Sequence, residues 1–162
     1  MRLRRVAAPP EPGDGWDRQP AVALEPGGLA VAPGLIDLHA HLNAILDLSA
    51  CESHIRQGVT TALGGPDGGS PWPLGEYLDT LTQIGTGMNV AYLAGHNTIR
   101  RNVIGLENRA PTADELQGMQ AQVARAMEEG AFGISTGLKY IPGAYSTVDE
   151  VIALSRVAAD YG

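Results

Sequence analysis

The sequence predicts an α/β chain in which about four consecutive strand–helix units build a parallel sheet behind a short irregular arm. Three observations carry that expectation. From Leu29 onward, short apolar runs alternate with amphipathic stretches. Glycines stand where helices should stop, at Gly58, Gly85 and Gly130. Thr112-Ala113-Asp114-Glu115 and Thr147-Val148-Asp149-Glu150 both have the spacing of a capping box, in which a hydroxyl and a carboxylate satisfy free N–H groups at a helix start.

Residues 1–28 are rich in Pro, Gly and charge and read as an irregular N-terminal arm, with one lone strand at Ala21 to Leu24. Residues 29–162 form the second domain. Its first strand is expected over Leu35 to His41, followed by a helix near Ser49 to Gln57 that ends at Gly58. Val59 to Leu63 makes the second strand. A helix from Pro73 to Ile84 carries Leu74, Tyr77, Leu78 and Leu81 at helical spacing. Asn89 to Ala94 is the third strand, and a longer loop leads to Thr112. There the first capping box opens a helix whose buried stripe is Leu116, Met119, Val123 and Met127. Ala131 to Ser135 makes the fourth strand, and the second capping box opens the last helix.

Four such units fit either a small doubly wound sheet or half of a TIM barrel, which needs about 250 residues and eight units. The pattern leaves both open. No Gly-x-Gly-x-x-Gly follows the first strand and no Walker-type loop is present, which removes the usual nucleotide-binding signatures.

Composition narrows the partners. A net charge of -7 opposes binding to nucleic-acid phosphates or anionic lipid, so a small molecule is the expected ligand. Cys51 is the only cysteine, which excludes an internal disulfide and a Cys-based structural zinc site and fits a reducing cytoplasm. The start, Met1-Arg2-Leu3-Arg4-Arg5, is basic, but Pro9, Pro10 and Pro12 interrupt the place of a signal-peptide core. No apolar run approaches the roughly 18 residues that cross a bilayer, so a soluble protein is expected.

His39 and His41 are the strongest chemical signal. Side chains at i and i+2 of a strand share a face, so both imidazoles can reach one ion from the C-terminal end of the strand, where parallel-sheet enzymes place their sites. Asp37 on that face is a candidate support. Taken alone, the pair reads more readily as two structural histidines at a strand end.

The surroundings resolve this. Val31 to His41, with Pro33-Gly34-Leu35-Ile36-Asp37-Leu38-His39-Ala40-His41, resembles the signature with which the amidohydrolase superfamily opens its barrel. Within it, the chain is most similar to the N-acyl-D-amino-acid deacylases, or D-aminoacylases. Gly58-Val59-Thr60-Thr61 with Gly65-Pro66-Asp67-Gly68-Gly69-Ser70 resembles their second strand and loop. Ala94-Gly95-His96-Asn97-Thr98-Ile99-Arg100 resembles the segment after their third strand, and Ser135-Thr136-Gly137-Leu138-Lys139-Tyr140-Ile141-Pro142-Gly143 the segment after their fourth.

The resemblance implies a partial TIM (β/α)8 barrel, its first four units, in a metal-dependent hydrolase of C–N amide bonds other than peptide bonds. It implies one or two divalent metal ions, normally zinc, and a small N-acyl amino acid as substrate. His39 and His41 match the first two metal ligands. Asp67 stands where the deacylases carry a metal-binding cysteine; a carboxylate also ligates zinc, and an Asp-Gly turn residue is the plainer account. Tyr140 matches a tyrosine that contacts substrate. Lys139, the only lysine, lies where hydantoinases and dihydroorotases use a carboxylated lysine, so a cyclic-amide hydrolase is an alternative. His96 is expected to bond a neighbouring loop, His54 to lie on the surface, and Arg100-Arg101 to be a solvated pair.

The resemblance also places the remaining histidine ligands after strands five and six and the catalytic aspartate after strand eight, so no catalytic residue is assigned here. An N-terminal fragment is expected, covering roughly the first third of such an enzyme, with unpaired strand edges that favour self-association or a missing C-terminal half. Weak or no turnover follows, and a non-catalytic remnant or interaction module is the remaining alternative.

Overall fold

A computed structural model describes residues 3–5, 22–24 and 32–162, which divide into two compact units, Met1–Pro33 and Gly34–Gly162. In the first unit β1 (Leu3–Arg5) pairs antiparallel with β2 (Val22–Leu24). The stretch expected as a lone strand therefore has a partner. That partner carries Arg4 and Arg5, which hides it from a search for apolar runs.

In the second unit β3 (Leu35–Asp37), β4 (Val59–Gly64) and β5 (Asn89–Tyr92) form a parallel sheet in chain order. After Leu93 the chain resumes as β6 (Ala94–Gly95), which pairs in parallel with β7 (Ile134–Ser135). A doubly wound sheet reverses its strand order at a switch point. Among the described strands of this unit no reversal occurs: β3, β4 and β5 pair in chain order and β6 pairs with β7, the order in which a (β/α) barrel is laid down.

The helices are α1 (Glu52–Ile55), α2 (Leu74–Ile84), α3 (His96–Ile104), α4 (Ala113–Glu128) and α5 (Val148–Ala159), with a 3-10 turn at Gly143–Tyr145 before the last. Ala62 of β4, Leu74 of α2, Ile99 of α3, Met119 and Val123 of α4 and Leu154 of α5 are all buried in one core. Burying a side chain of that size contributes about 1.5–3 kcal/mol, so this core, together with the α3–α4 and α4–α5 packing, holds the strand ends in place. Among the described residues no helix is long and apolar enough to cross a membrane.

Several elements differ from expectation. The first strand stops at Asp37 rather than His41, because the Asp37 carboxylate accepts the His39 backbone N–H at 3.0 Å and bends the chain there. The first helix shrinks to four residues, since Cys51 enters it with a left-handed φ of 51° and Gly58 leaves at 83°. The fourth strand keeps only Ile134–Ser135 of the expected 131–135.

The largest correction is α3, which occupies most of the expected loop before Thr112. Its inner face is polar: His96, Asn97 and Arg100 are buried beside Ile99 and Ile104, so hydrophobic spacing does not reveal it. α4 begins with the full capping box, Glu115 N–H donating to Thr112 Oγ1 at 3.2 Å and Thr112 N–H to the Glu115 carboxylate at 2.8 Å. α5 keeps only half of its box. Glu150 N–H donates to Thr147 Oγ1, but the Glu150 carboxylate turns inward to His96 and Arg100.

Candidate metal centre

The bend after β3 aims His39 and His41 at one another, with ring centroids 5.4 Å apart in an edge-on arrangement. The same-face expectation is met, although by a bent chain rather than a continuous strand. Ala40 N–H still donates to Leu63 O at 3.0 Å, which ties the His-x-His segment to the end of β4.

Asp67 comes to the pair from the loop after β4. One carboxylate oxygen, Oδ2, lies 3.3 Å from Nε2 of His39 and 3.3 Å from Nε2 of His41. The three residues form a group whose donor atoms all lie within 4.8 Å of one another. A charge-assisted N–H···O bond spans about 2.7–2.9 Å, shorter than these separations. Two donors held at about 2.0–2.1 Å by a tetrahedral zinc stand about 3.3–3.4 Å apart, which matches them. The donor set suits the ion chemically as well, with two imidazoles, one carboxylate and open positions remaining. The side chains of His39, His41 and Asp67 are 62%, 60% and 37% exposed, so the centre lies at a surface.

Asp67 combines the turn conformation with its place beside the two imidazoles. Its φ of 56° is left-handed, a conformation that aspartate tolerates better than most residues. A polar lattice holds it there. Gly68 N–H donates to Ser135 Oγ at 3.0 Å, Ser135 Oγ–H to Gly65 O at 2.6 Å, and Thr98 N–H to Gly68 O at 3.1 Å. Thr98 and Ser135, from α3 and β7, thus fix the Asp67 loop from behind.

His41 and Asp67 open onto a cavity of about 510 Å3 that is also lined by Tyr77, Tyr92, Thr98 and Arg101. The Tyr77 and Tyr92 hydroxyls are 3.2 Å apart, and burial, followed by this hydrogen bond, pushes the Tyr92 phenol well above its ordinary value. A second cavity of about 580 Å3 is lined mainly by the Leu42–His54 segment and contains His41 alone of the cluster.

Tyr140 is half exposed and does not line either cavity, yet it flanks the same loop: a Cβ placed on Gly137 would lie 1.9 Å from Asp67 O and 3.1 Å from Tyr140 Cδ2. Lys139 is exposed and likewise lines neither cavity. His54 is half-buried on α1 rather than on the open surface.

Arg100 departs most from expectation. It is fully buried, paired with Glu150 and donating to Arg109 O at 2.6 Å, while Arg101 alone is exposed. The i+3 and i+4 steps of α3 carry His96 and Arg100 inward together, where Glu150 receives both, His96 Nε2 lying 2.8 Å from its carboxylate. Burial opposes ionisation of Glu150, but the hydrogen bonds from His96 and Arg100 and their charges outweigh it and hold the carboxyl below the ordinary range. The residues missed from sequence were Tyr77, Tyr92 and Asn97; the tyrosines carry no motif, and Asn97 sits inside the unrecognised helix.

The sequence profile of the Amidohydrolase family matches residues 27–161. A D-aminoacylase from Alcaligenes xylosoxydans xylosoxydans is 34% identical over an alignment covering 100% of this chain and 38% of the relative. A solved structure of N-acyl-D-glutamate deacylase from Bordetella bronchiseptica, complexed with zinc and a phosphonate inhibitor, superposes with a TM-score of 0.75 at 34% identity, covering 79% of this chain and 32% of that one. A D-aminoacylase structure that addresses a binuclear metal centre gives a TM-score of 0.73 at 34% identity over 80% of this chain and 32% of that one. The chain thus spans about a third of the length of the relatives that it matches.

Proposed function

Because the chain belongs to the amidohydrolase family, we propose that it supplies the first metal-binding element of a zinc-dependent deacylase that hydrolyses the amide bond of N-acyl-D-amino acids. The observation that carries this reading is the convergence of His39, His41 and Asp67 on donor spacings that fit one divalent ion. A bound zinc supplies polarisation of the amide carbonyl and a lowered pKa of attacking water.

The chain's own residues prepare that chemistry. His39 and His41 serve as neutral nitrogen donors, and Asp67 adds the negative charge that the deacylases draw from cysteine. Arg101 places a guanidinium on the cavity wall beside them, which suits the carboxylate of an N-acyl amino acid. The paired hydroxyls of Tyr77 and Tyr92 give the same wall polar contacts, and the raised pKa of Tyr92 keeps its proton available for donation. Tyr140, which flanks the Asp67 loop, is assigned to substrate contact in this reading. We assign 1–28 to an arm and 29–162 to the opening half of the barrel, in a cytoplasmic protein whose buried Cys51 is a free thiol.

Metal analysis of the purified chain tests the reading. Zinc should be retained by the parent and lost from His39→Ala, and an N-acyl-D-amino acid should protect the zinc-loaded chain against heat better than its L-enantiomer. A parent that carries no more zinc than the variant would sink the proposal.

A second reading has its own support. Leu35, Ile36 and Leu38 are 59%, 63% and 70% exposed along β3 and its continuation, an apolar sheet edge suited to pairing with further strands or a second copy. Concentration-dependent sedimentation, abolished by Ile36→Lys, would support self-association through that edge.

A further inference from the structure

Asn97 lies in the first turn of α3 and is 6% exposed. Its Nδ2 donates to Gly137 O at 3.1 Å and to Tyr140 O at 3.3 Å, so one carboxamide closes the segment that follows β7. Its Oδ1 is buried and has no hydrogen-bond partner, an arrangement that folded proteins seldom keep without reason. The oxygen is wedged between two backbones: a Cβ on Gly68 would lie 2.4 Å from it and one on Gly143 2.3 Å. Gly68 immediately follows Asp67, and the carbonyl of Asp67 itself abuts Gly137. One amide therefore fills a slot walled by the metal-donor loop on one side and the Tyr140 segment on the other. Glycine is needed at 68 and 143 because either Cβ would expel that amide.

We propose that Asn97 is a positioning residue for the metal centre: its carboxamide locks the Asp67 loop to the Gly137–Tyr140 segment and thereby sets the metal affinity that Asp67 confers. It touches neither ion nor substrate. The inference rests on the metal-site reading above and adds to it a residue outside the donor set. Supporting groups of this kind typically alter metal affinity by about 10- to 100-fold.

The test is a cobalt titration of the 162-residue chain, read by competition with a chromophoric chelator and by the visible cobalt spectrum. Asn97→Asp keeps the shape but sets a carboxylate oxygen against two carbonyls. It should weaken cobalt binding at least about tenfold and alter the visible bands, and it should add no further loss to Asp67→Ala. Leu154→Ala, a core truncation on α5, should lower the melting midpoint and leave the affinity within about twofold. If Asn97→Asp does not fold, Gly143→Ala decides on the same readout, since it intrudes on the same slot. Affinity within about twofold of the parent for the folded Asn97 or Gly143 variant, with Asp67→Ala clearly weakened, overturns the clamp and spares the metal site. A parent chain that binds no cobalt overturns both.

Discussion

Arg100 and Glu150 form an ion pair with neither side chain exposed, joining α3 to the first turn of α5. Removing one partner of such a pair leaves an uncompensated buried charge, which costs about 3–5 kcal/mol. Glu150→Ala should therefore lower unfolding free energy by that amount in urea titration. Replacing the pair together by apolar residues should cost much less than the sum of the single changes. Additive losses would show that the two side chains act independently.

The same pair sets an acid limit. Glu150 has its carboxyl held below the ordinary 4.5, so its contribution is fully present above that value and is lost as pH falls through the lower, folded-state value. Glu115 behaves alike, lowered to about 2 by the Arg109 hydrogen bond and the Thr112 N–H, although its exposure makes its effect small. The melting midpoint of the parent should fall steeply below pH 4.5, and Glu150→Gln should flatten that fall. An unchanged profile in the variant would assign the acid sensitivity elsewhere.

Two sequence-identical capping spacings end differently, and double-mutant cycles should register it. Thr112 and Glu115 exchange both bonds, so Thr112→Ala should cost about 1 kcal/mol and couple to Glu115→Ala, which removes the acceptor of the Thr112 N–H. Thr147 receives only the backbone of Glu150, so Thr147→Ala should cost about the same and show no coupling to Glu150→Gln. Measurable coupling at the second site would mean that the carboxylate also reaches back to its cap.

These sites show what the sequence could convey. Strand–helix alternation and the α2 and α4 stripes were readable, because each depends on local spacing; the family signature pointed to His39 and His41, and the fold brings Asp67 to them. α3 was not readable, because its buried face is polar and most of its partners are distant in sequence: Glu150 for His96 and Arg100, and the Gly137 and Tyr140 carbonyls for Asn97. The capping spacing at Thr147 was read correctly as a helix start, but the partner of its glutamate was set by tertiary contact. Arg100 and Arg101 are adjacent and chemically alike; only the helix phase sends one into the core and the other to the cavity wall.

Asp67 offers the sharpest test of the proposed donor set, since the resemblance to the deacylases implies a cysteine at that place. Asp67→Cys retains one anionic donor at the same turn and exchanges a hard oxygen for a soft sulfur. The cobalt-loaded variant should gain an intense near-ultraviolet thiolate band absent from the parent. The left-handed φ of 56° suits aspartate better than cysteine, so the metal-free variant should be less stable by about 1 kcal/mol. Asp67→Asn keeps the turn preference while removing the charge, and should bind metal more weakly without that loss of stability. Zinc at about 100 times its dissociation constant adds about 2.7 kcal/mol to a chain that binds it only when folded, so the parent and Asp67→Cys should both melt higher on zinc addition. A zinc-induced rise that survives in Asp67→Ala would place the ion on the two imidazoles alone and remove Asp67 from the centre.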